Sequence, residues 1–147
     1  MNIVSLAGLV APPGETMCSA TKHAALAYSV GTGLDLRRQG SKRVHVTAVC
    51  PDGIWTPMLD DHLDDPEAAL SWSGTVLAPE PEQVAAVVVD VHRRPRPVVS
   101  VPRWRGGLVR IYAAFPRLAA VMAPVVMAQA HRKQARFAAE RRRGPAA

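Results

Sequence analysis

Cysteine is scarce in this 147-residue chain, which contains only Cys18 and Cys50. Two cysteines this far apart supply neither a disulfide framework nor the paired spacing of a zinc site. The five histidines show no ligand spacing either, so we predict no metal site. No basic segment followed by an apolar signal segment opens the chain. This pattern favours the reducing cytoplasm.

Long apolar runs are also missing. Residues 118–130 carry no charge, but they number only thirteen and contain Pro124, whereas a helix that spans a bilayer needs about 20 apolar residues. We therefore expect a kinked helix that lies against the core, a partner or a membrane surface. Apolar residues make up 48% of the chain, which is enough for a single core.

Acidic residues are almost absent from the last third of the chain. Residues 93–147 contain 13 Lys or Arg and one acid, Glu140, a net charge of +12, whereas residues 1–92 have a net charge of −6. Such a basic tail on an acidic body favours docking on anionic lipid, on nucleic acid or on the body itself, and a solvated basic face is an equal alternative. No aromatic residues interleave with the arginines at 141–143 to stack on bases, so we do not expect nucleic acid as a partner.

Turn residues and β-branched runs predict three strands that alternate with two helices. Gly40 is expected to end the first helix, Pro79 and Pro81 to open the second, and the acidic residues 57–78 to form a surface loop with a short helix. Alternating strands and helices imply parallel pairing with right-handed crossovers, an α/β layer. The predicted strands are residues 1–5, 44–50 and 98–101, and the predicted helices are residues 16–38 and 80–93.

Two glycines stand inside the first predicted helix, Gly31 and Gly33. Each costs about 1 kcal/mol relative to alanine, so we expect another backbone to pack closely against them. They do not form a phosphate loop, because such a loop opens a helix rather than lying within one.

Ser5, Cys18 and Lys22 are the candidate functional residues. Cys18 and Lys22 are four residues apart and share a helix face. Ser5 follows the first strand, at the carboxyl end where open α/β sheets place ligands. A hydroxyl, a thiol and an ammonium can converge there, and the ammonium would favour the thiolate. Spacing alone does not separate this arrangement from a chance one.

Four segments in this order resemble the short-chain dehydrogenase/reductase family. Residues 2–5 (NIVS) resemble the strand with the active serine, and residues 19–22 (SATK) resemble the sequence that runs from the active tyrosine to the active lysine. Residues 49–58 resemble the segment that binds the nicotinamide amide, and residues 79–103 resemble the last helix and strand of the family.

The resemblance implies a partial Rossmann-like fold over residues 1–106, followed by a basic, partly apolar helical tail at 107–147. It implies hydride transfer between NAD or NADP and a small-molecule carbonyl or alcohol. Ser5 would hydrogen-bond the substrate oxygen, and Lys22 would hold the nicotinamide ribose and lower the pKa of the proton donor. The residues implied to bind the cofactor are Lys22, Pro51, Gly53, Ile54 and Thr56.

The sequence departs from the family pattern at several points. Cys18 occupies the place of the tyrosine proton donor, and its thiol is shorter than a phenol. Asp52 stands where the family usually has glycine. The glycine-rich phosphate loop and the catalytic asparagine would precede residue 1. We therefore expect the C-terminal half of such an enzyme, impaired alone and prone to self-associate through an open sheet edge.

The alternative is a non-catalytic interaction protein. In that hypothesis the basic amphipathic tail binds a partner or places the protein at the periphery of a membrane. Neither the substrate nor the choice between NAD and NADP follows from these residues.

Overall fold

A computed structural model describes residues 1–54, 56–72 and 81–143. Its three strands form one parallel sheet with the second strand at the centre. Helices connect the strands and follow the last one, so the architecture is the partial Rossmann-like α/β fold that the sequence predicts. The strands are β1 (Asn2–Ile3), β2 (Ala48–Pro51) and β3 (Val98–Val101), the α-helices are α1 (Thr16–Arg38), α2 (Pro57–Asp60), α3 (Pro81–Arg93), α4 (Arg103–Ala114) and α5 (Pro116–Arg143), and 3-10 helices cover Leu6–Gly8 and Pro66–Trp72.

Helices cover both faces of the sheet. Successive side chains of β2 point to opposite faces, so each face presents apolar side chains for a helix to bury. Ala48 and Cys50 are fully buried in a cluster with residues of α1 and α4. Val49 packs on the other face with Val84 of α3 and with Val101. This two-sided burial explains why β2 and β3 have almost continuously apolar sequences.

The predicted first helix is confirmed over its whole length as α1. Gly40 follows it with φ of 78°, the left-handed conformation that glycine adopts without strain. The expected close backbone packing is wrong for Gly31, where an added Cβ would meet no atom within 4 Å. At Gly33 the nearest atom would be Val46 Cβ at 3.7 Å, an ordinary contact. Both glycines therefore weaken α1 without a close neighbour that requires them.

Strand boundaries depend on pairing. The strand predicted at 44–50 begins only at Ala48, because its pairing with both neighbours begins there, with Asn2 of β1 and Val98 of β3. Pairing starts where Asn2 N donates to Thr47 O at 2.9 Å. The strand at 98–101 is confirmed, and the second predicted helix is confirmed as α3; its predicted opening at Pro79 and Glu80 lies outside the described residues.

The segment predicted at 57–78 contains the expected short helix, α2, but its described part is not a surface loop. Leu59 and Trp72 are buried and pack with Leu63 and with Phe137 of α5. The Trp72 and Phe137 ring centroids lie 5.6 Å apart. Acidic side chains cover this small core on the outside, which is why composition alone indicates a loop. Residues 73–78 of that prediction lie outside the described residues.

The helix predicted at residues 118–130 lies within α5. A preceding helix, α4, meets α5 at Phe115 with a bend of 120°. Pro124 lies inside α5. In the basic end of α5, Gln134 is buried. In the described ranges no single helix is long and apolar enough to cross a bilayer. Only the bent pair of α4 with residues 116–139 of α5 has, taken together, the length and composition of a membrane span. The division at residue 106 stays a prediction; α4 runs across it.

Candidate functional site

Ser5 lies just past the carboxyl end of β1, where it begins the 3-10 helix Leu6–Gly8. Its Oγ accepts a hydrogen bond from Ala7 N at 3.1 Å, and its carbonyl accepts one from Gly8 N at 3.0 Å. The side chain is only half-buried. The hydroxyl oxygen is therefore held in place by the backbone, and its own proton can point towards a ligand.

Lys22 lies on α1 directly beside that 3-10 helix. A Cβ added to Gly8 would stand 2.8 Å from Lys22 O, so only glycine allows the two backbones to come this close. Cys18 lies one turn earlier on α1 and is exposed, while Lys22 is half-buried. The contact at Gly8 fixes the distance between the backbone that carries Ser5 and the backbone that carries Lys22.

The segment implied to bind nicotinamide follows β2. Pro51 ends the strand and is buried, and Gly53, Ile54 and Thr56 are half-buried beyond it. No described residue pairs with the backbone N–H or C=O of Ile54. Trp55 lies outside the described residues. The segment therefore presents unused backbone hydrogen-bonding groups at the same edge of the sheet as Ser5.

Asp52 is bound by a residue that sequence reasoning missed. Arg105 Nε of α4 lies 3.0 Å from Asp52 Oδ2, and both side chains are largely buried, at 17% and 11% exposure. Asp52 Oδ1 accepts a hydrogen bond from Gly53 N at 3.0 Å, and Asp52 N donates to Val101 O at 2.8 Å. This pair ties the loop after β2 to the first helix of the tail. The only signal in the sequence was the unusual acid at position 52, because nothing distinguishes Arg105 among the thirteen basic residues of 93–147.

Cys50 lies beneath the site, fully buried in β2. Burial raises the pKa of its thiol, and a hydrogen bond with the Ser5 backbone and the positive charge of Arg110 oppose this shift in part. Cys50 is thus a neutral thiol at physiological pH that packs behind Ser5. The exposed Cys18 is the cysteine that a solvent molecule or a substrate can reach.

The structure brings the ends of β1 and β2 to one edge of the sheet and returns the start of α1 to that edge. It places Ser5, Lys22 and the 51–56 segment on the elements that the sequence predicts for them. It gives no contact between Cys18 and Ser5. The roles of all these residues stay predictions.

Two characterised proteins are similar to part of this chain. The short-chain dehydrogenase srdC of Neurospora crassa is 35% identical over 65 residues, which are 44% of this chain and 23% of that protein. The 2-(R)-hydroxypropyl-CoM dehydrogenase of Xanthobacter autotrophicus is 39% identical over 67 residues, which are 46% of this chain and 26% of that protein. The chain thus spans about a quarter of the length of these relatives.

No family model matches the chain, and no solved structure matches it. The two partial similarities support a relationship to short-chain dehydrogenases, and hence to oxidoreductases.

Proposed function

We propose that this chain supplies the nicotinamide and substrate side of a short-chain oxidoreductase. The reaction is hydride transfer between NAD or NADP and a carbonyl or alcohol carbon of a small molecule. In this proposal a separate segment holds the pyrophosphate, since the closely spaced Gly31 and Gly33 lie inside α1 rather than at a helix start.

The convergence of Ser5, Lys22 and the 51–56 segment at one sheet edge carries the proposal. A parallel sheet collects the carboxyl ends of its strands on one side, which is where α/β proteins bind ligands. Here the Gly8 contact with Lys22 O and the Asp52–Arg105 pair hold the two halves of that edge. The two partial relatives are both named dehydrogenases.

The protein groups divide the work. Ser5 Oγ already accepts from Ala7 N, so its proton is directed to an acceptor such as a carbonyl oxygen. The unpaired backbone groups of Ile54 suit a carboxamide, which offers both a donor and an acceptor. Lys22 contributes a positive charge near the developing alkoxide and the ribose hydroxyls. When bound, the nicotinamide supplies or takes up the hydride.

Cys18 is the residue of this site that fits the proposed proton transfer least well. Its thiol carries a proton that it can donate. Proton transfer, however, needs heavy atoms about 2.6–3.2 Å apart or one bridging water, and a cysteine side chain is several bonds shorter than the tyrosine that the resemblance implies. We propose that Cys18 acts through a water or that the site turns over slowly.

Hydride transfer can be tested by joining the nucleotide-binding half of a short-chain dehydrogenase ahead of Met1. Oxidation of NADPH by a panel of ketones is then followed by absorbance. Cys18→Tyr should raise the rate by about 10²–10⁴-fold, the usual worth of a positioned proton donor. Lys22→Ala should remove that gain, whereas Lys42→Ala, a change at an exposed lysine after α1, should not. Equal rates with cysteine and tyrosine at position 18 would contradict its assignment to the proton-donor place.

The open edge of β1 is where that other half would pair in this proposal. Asn2 N and Val4 N donate to β2, to Thr47 O and Val49 O. Since successive residues of a strand point their backbone groups to opposite sides, Ile3 faces away from β2. Ile3 is 54% exposed, and no described strand lies on that side. An unpaired apolar edge of this kind invites a further strand.

A further inference from the structure

An exposed apolar surface lies on the tail. Trp104, Leu108, Ile111 and Phe115 are each exposed by 48% to 58%. Their spacing of four, three and four residues puts them on one side of α4. Gly106 and Val109 face the core instead. The four side chains, which we name the α4 stripe, therefore point away from the sheet.

A second stripe continues across the corner at Phe115. Leu118, Val121, Met122 and Val125 are exposed by 41% to 73% and are spaced by three, one and three residues. They form one side of the first turns of α5, which we name the α5 stripe. Scattered exposed apolar residues are ordinary, whereas eight on two adjoining helix faces mark an interaction surface.

The corner is built to hold both stripes in place. Tyr112 Oη donates to Ala119 O at 2.7 Å and so links α4 to α5 across the bend. The far half of α5 is docked on the body, where Gln134 Nε2 donates to Leu63 O and to Asp65 O. Arg105 fixes the start of α4 to Asp52. The stripes therefore belong to a projecting corner with both ends anchored.

The charges around this corner have one sign. Arg117 is the sole charged residue between 111 and 130, and Arg103 and Arg110 precede it at seven-residue intervals. The sequence has no acid between Asp90 and Glu140. A second copy placed face to face would bring arginines against arginines with no acid to pair them. An anionic partner with an apolar interior fits both the stripes and the arginines.

We propose that the α4–α5 corner docks on the surface of an anionic lipid bilayer. The two stripes would enter the boundary between headgroups and acyl chains, and Arg103 and Arg117 would contact lipid phosphates. Trp104 is of the residue type that prefers this depth. The 120° bend and the Asp52–Arg105 anchor keep the corner lying on the bilayer rather than across it.

Flotation of the whole chain with vesicles tests this proposal. Vesicles of phosphatidylcholine mixed with phosphatidylglycerol should carry the protein to the top of the gradient, and vesicles of phosphatidylcholine alone should carry much less. Arg117→Gln should weaken binding to the mixed vesicles about fivefold, the equivalent of about 1 kcal/mol per surface cation. High salt should reduce the difference between the two vesicle types.

Matched valine variants distinguish binding through the corner from nonspecific adsorption of the protein to vesicles. Val121→Glu combined with Val125→Glu should lower recovery at least about tenfold, because two apolar contacts are lost and two negative charges are added that anionic lipid repels. Val89→Glu, a change on α3 at a valine that is 54% exposed, should leave recovery unchanged. Circular dichroism of each variant verifies that it is folded.

Two results would overturn the proposal. One is equal recovery of the native chain and the Val121/Val125 variant with anionic vesicles. The other combines two measurements. If light scattering shows that the native chain is a dimer and the Val121/Val125 variant a monomer, and neither protein floats with vesicles, the corner binds a second copy instead. Because the candidate site is untouched by these variants, neither result bears on the proposed function.

Discussion

Gly106 of α4 lies directly on Ser100 of β3. A Cβ added at Gly106 would stand 2.1 Å from Ser100 Oγ and 2.2 Å from Ser100 Cβ, which is closer than real atoms approach. The Ser100 hydroxyl is buried without a described hydrogen-bond partner, and turning it would not relieve the clash with Ser100 Cβ. This contact sets how closely the tail packs on the sheet that carries the candidate site.

We predict that Gly106→Ala lowers the free energy of unfolding by at least about 2 kcal/mol, because the helix must move off the sheet. Gly107→Ala is the matched control, since an added Cβ there would meet no atom within 4 Å. It should stabilise α4 by up to about 1 kcal/mol. Urea denaturation of both variants measures the two values. Equal effects would mean that α4 does not rest on Ser100.

The Asp52–Arg105 pair should contribute to stability, unlike the surface pairs. We predict that Arg105→Ala costs about 1–3 kcal/mol, because it leaves the largely buried carboxylate of Asp52 without its cation. Arg142→Ala, which removes a pair with Asp64 that is 75% exposed on both sides, should cost less than about 1 kcal/mol. A double-mutant cycle with Asp52→Asn measures the coupling. A coupling energy near zero would show that the pair does not hold the loop after β2.

The buried thiol of Cys50 should make stability depend on alkaline pH. Its pKa is raised in the folded chain because of burial, so the unfolded chain loses this proton first as the pH rises. The stabilisation is complete below the unfolded pKa of about 8.5 and is lost as the pH rises from there towards the folded pKa. Chemical denaturation at a series of pH values should show a steeper decline for the native chain than for Cys50→Ala. Cys18→Ala should keep the native dependence of stability on pH. If Cys50→Ala and Cys18→Ala show the same dependence, the stability is not linked to the Cys50 thiol.

Docking of α5 depends on one buried amide. Gln134 donates to the carbonyls of Leu63 and Asp65 at 3.0 and 2.7 Å. We predict that Gln134→Ala costs about 1–3 kcal/mol, because these carbonyls lose a buried donor. Gln129→Ala, one and a half turns earlier and exposed, should be nearly neutral. Amide hydrogen exchange should show faster exchange in residues 62–72 for the first variant. Unchanged exchange would mean that the tail does not hold this segment.

Local signals predicted much of the fold. The bounds of α1 follow from an alanine-rich segment without proline and from Gly40, and β3 follows from its β-branched run. The start of β2 was not predicted, because it depends on where β1 and β3 begin to pair with it. The small core around Trp72 was also unpredictable, since its partner Phe137 is supplied from far along the sequence.

In the candidate site, too, some features follow from local sequence and others depend on tertiary contacts. Ser5, Lys22 and the 51–56 segment were predicted from motif order, because strand ends of a parallel sheet share an edge. The approach of Gly8 to Lys22 O and the pairing of Arg105 with Asp52 depend on tertiary packing. Neither leaves a pattern in the spacing of residues.

The central claim is that this chain binds the nicotinamide half of a dinucleotide at the ends of β1 and β2. Its most direct measurement is an NMR titration of the whole chain with nicotinamide mononucleotide, with adenosine monophosphate as a control that carries the same phosphate. We predict that the first ligand alone shifts the amide signals of Ser5, Lys22, Ile54 and Thr56, and that Lys22→Ala weakens these shifts. If neither ligand moves these signals, or if both move them alike, the claim is wrong.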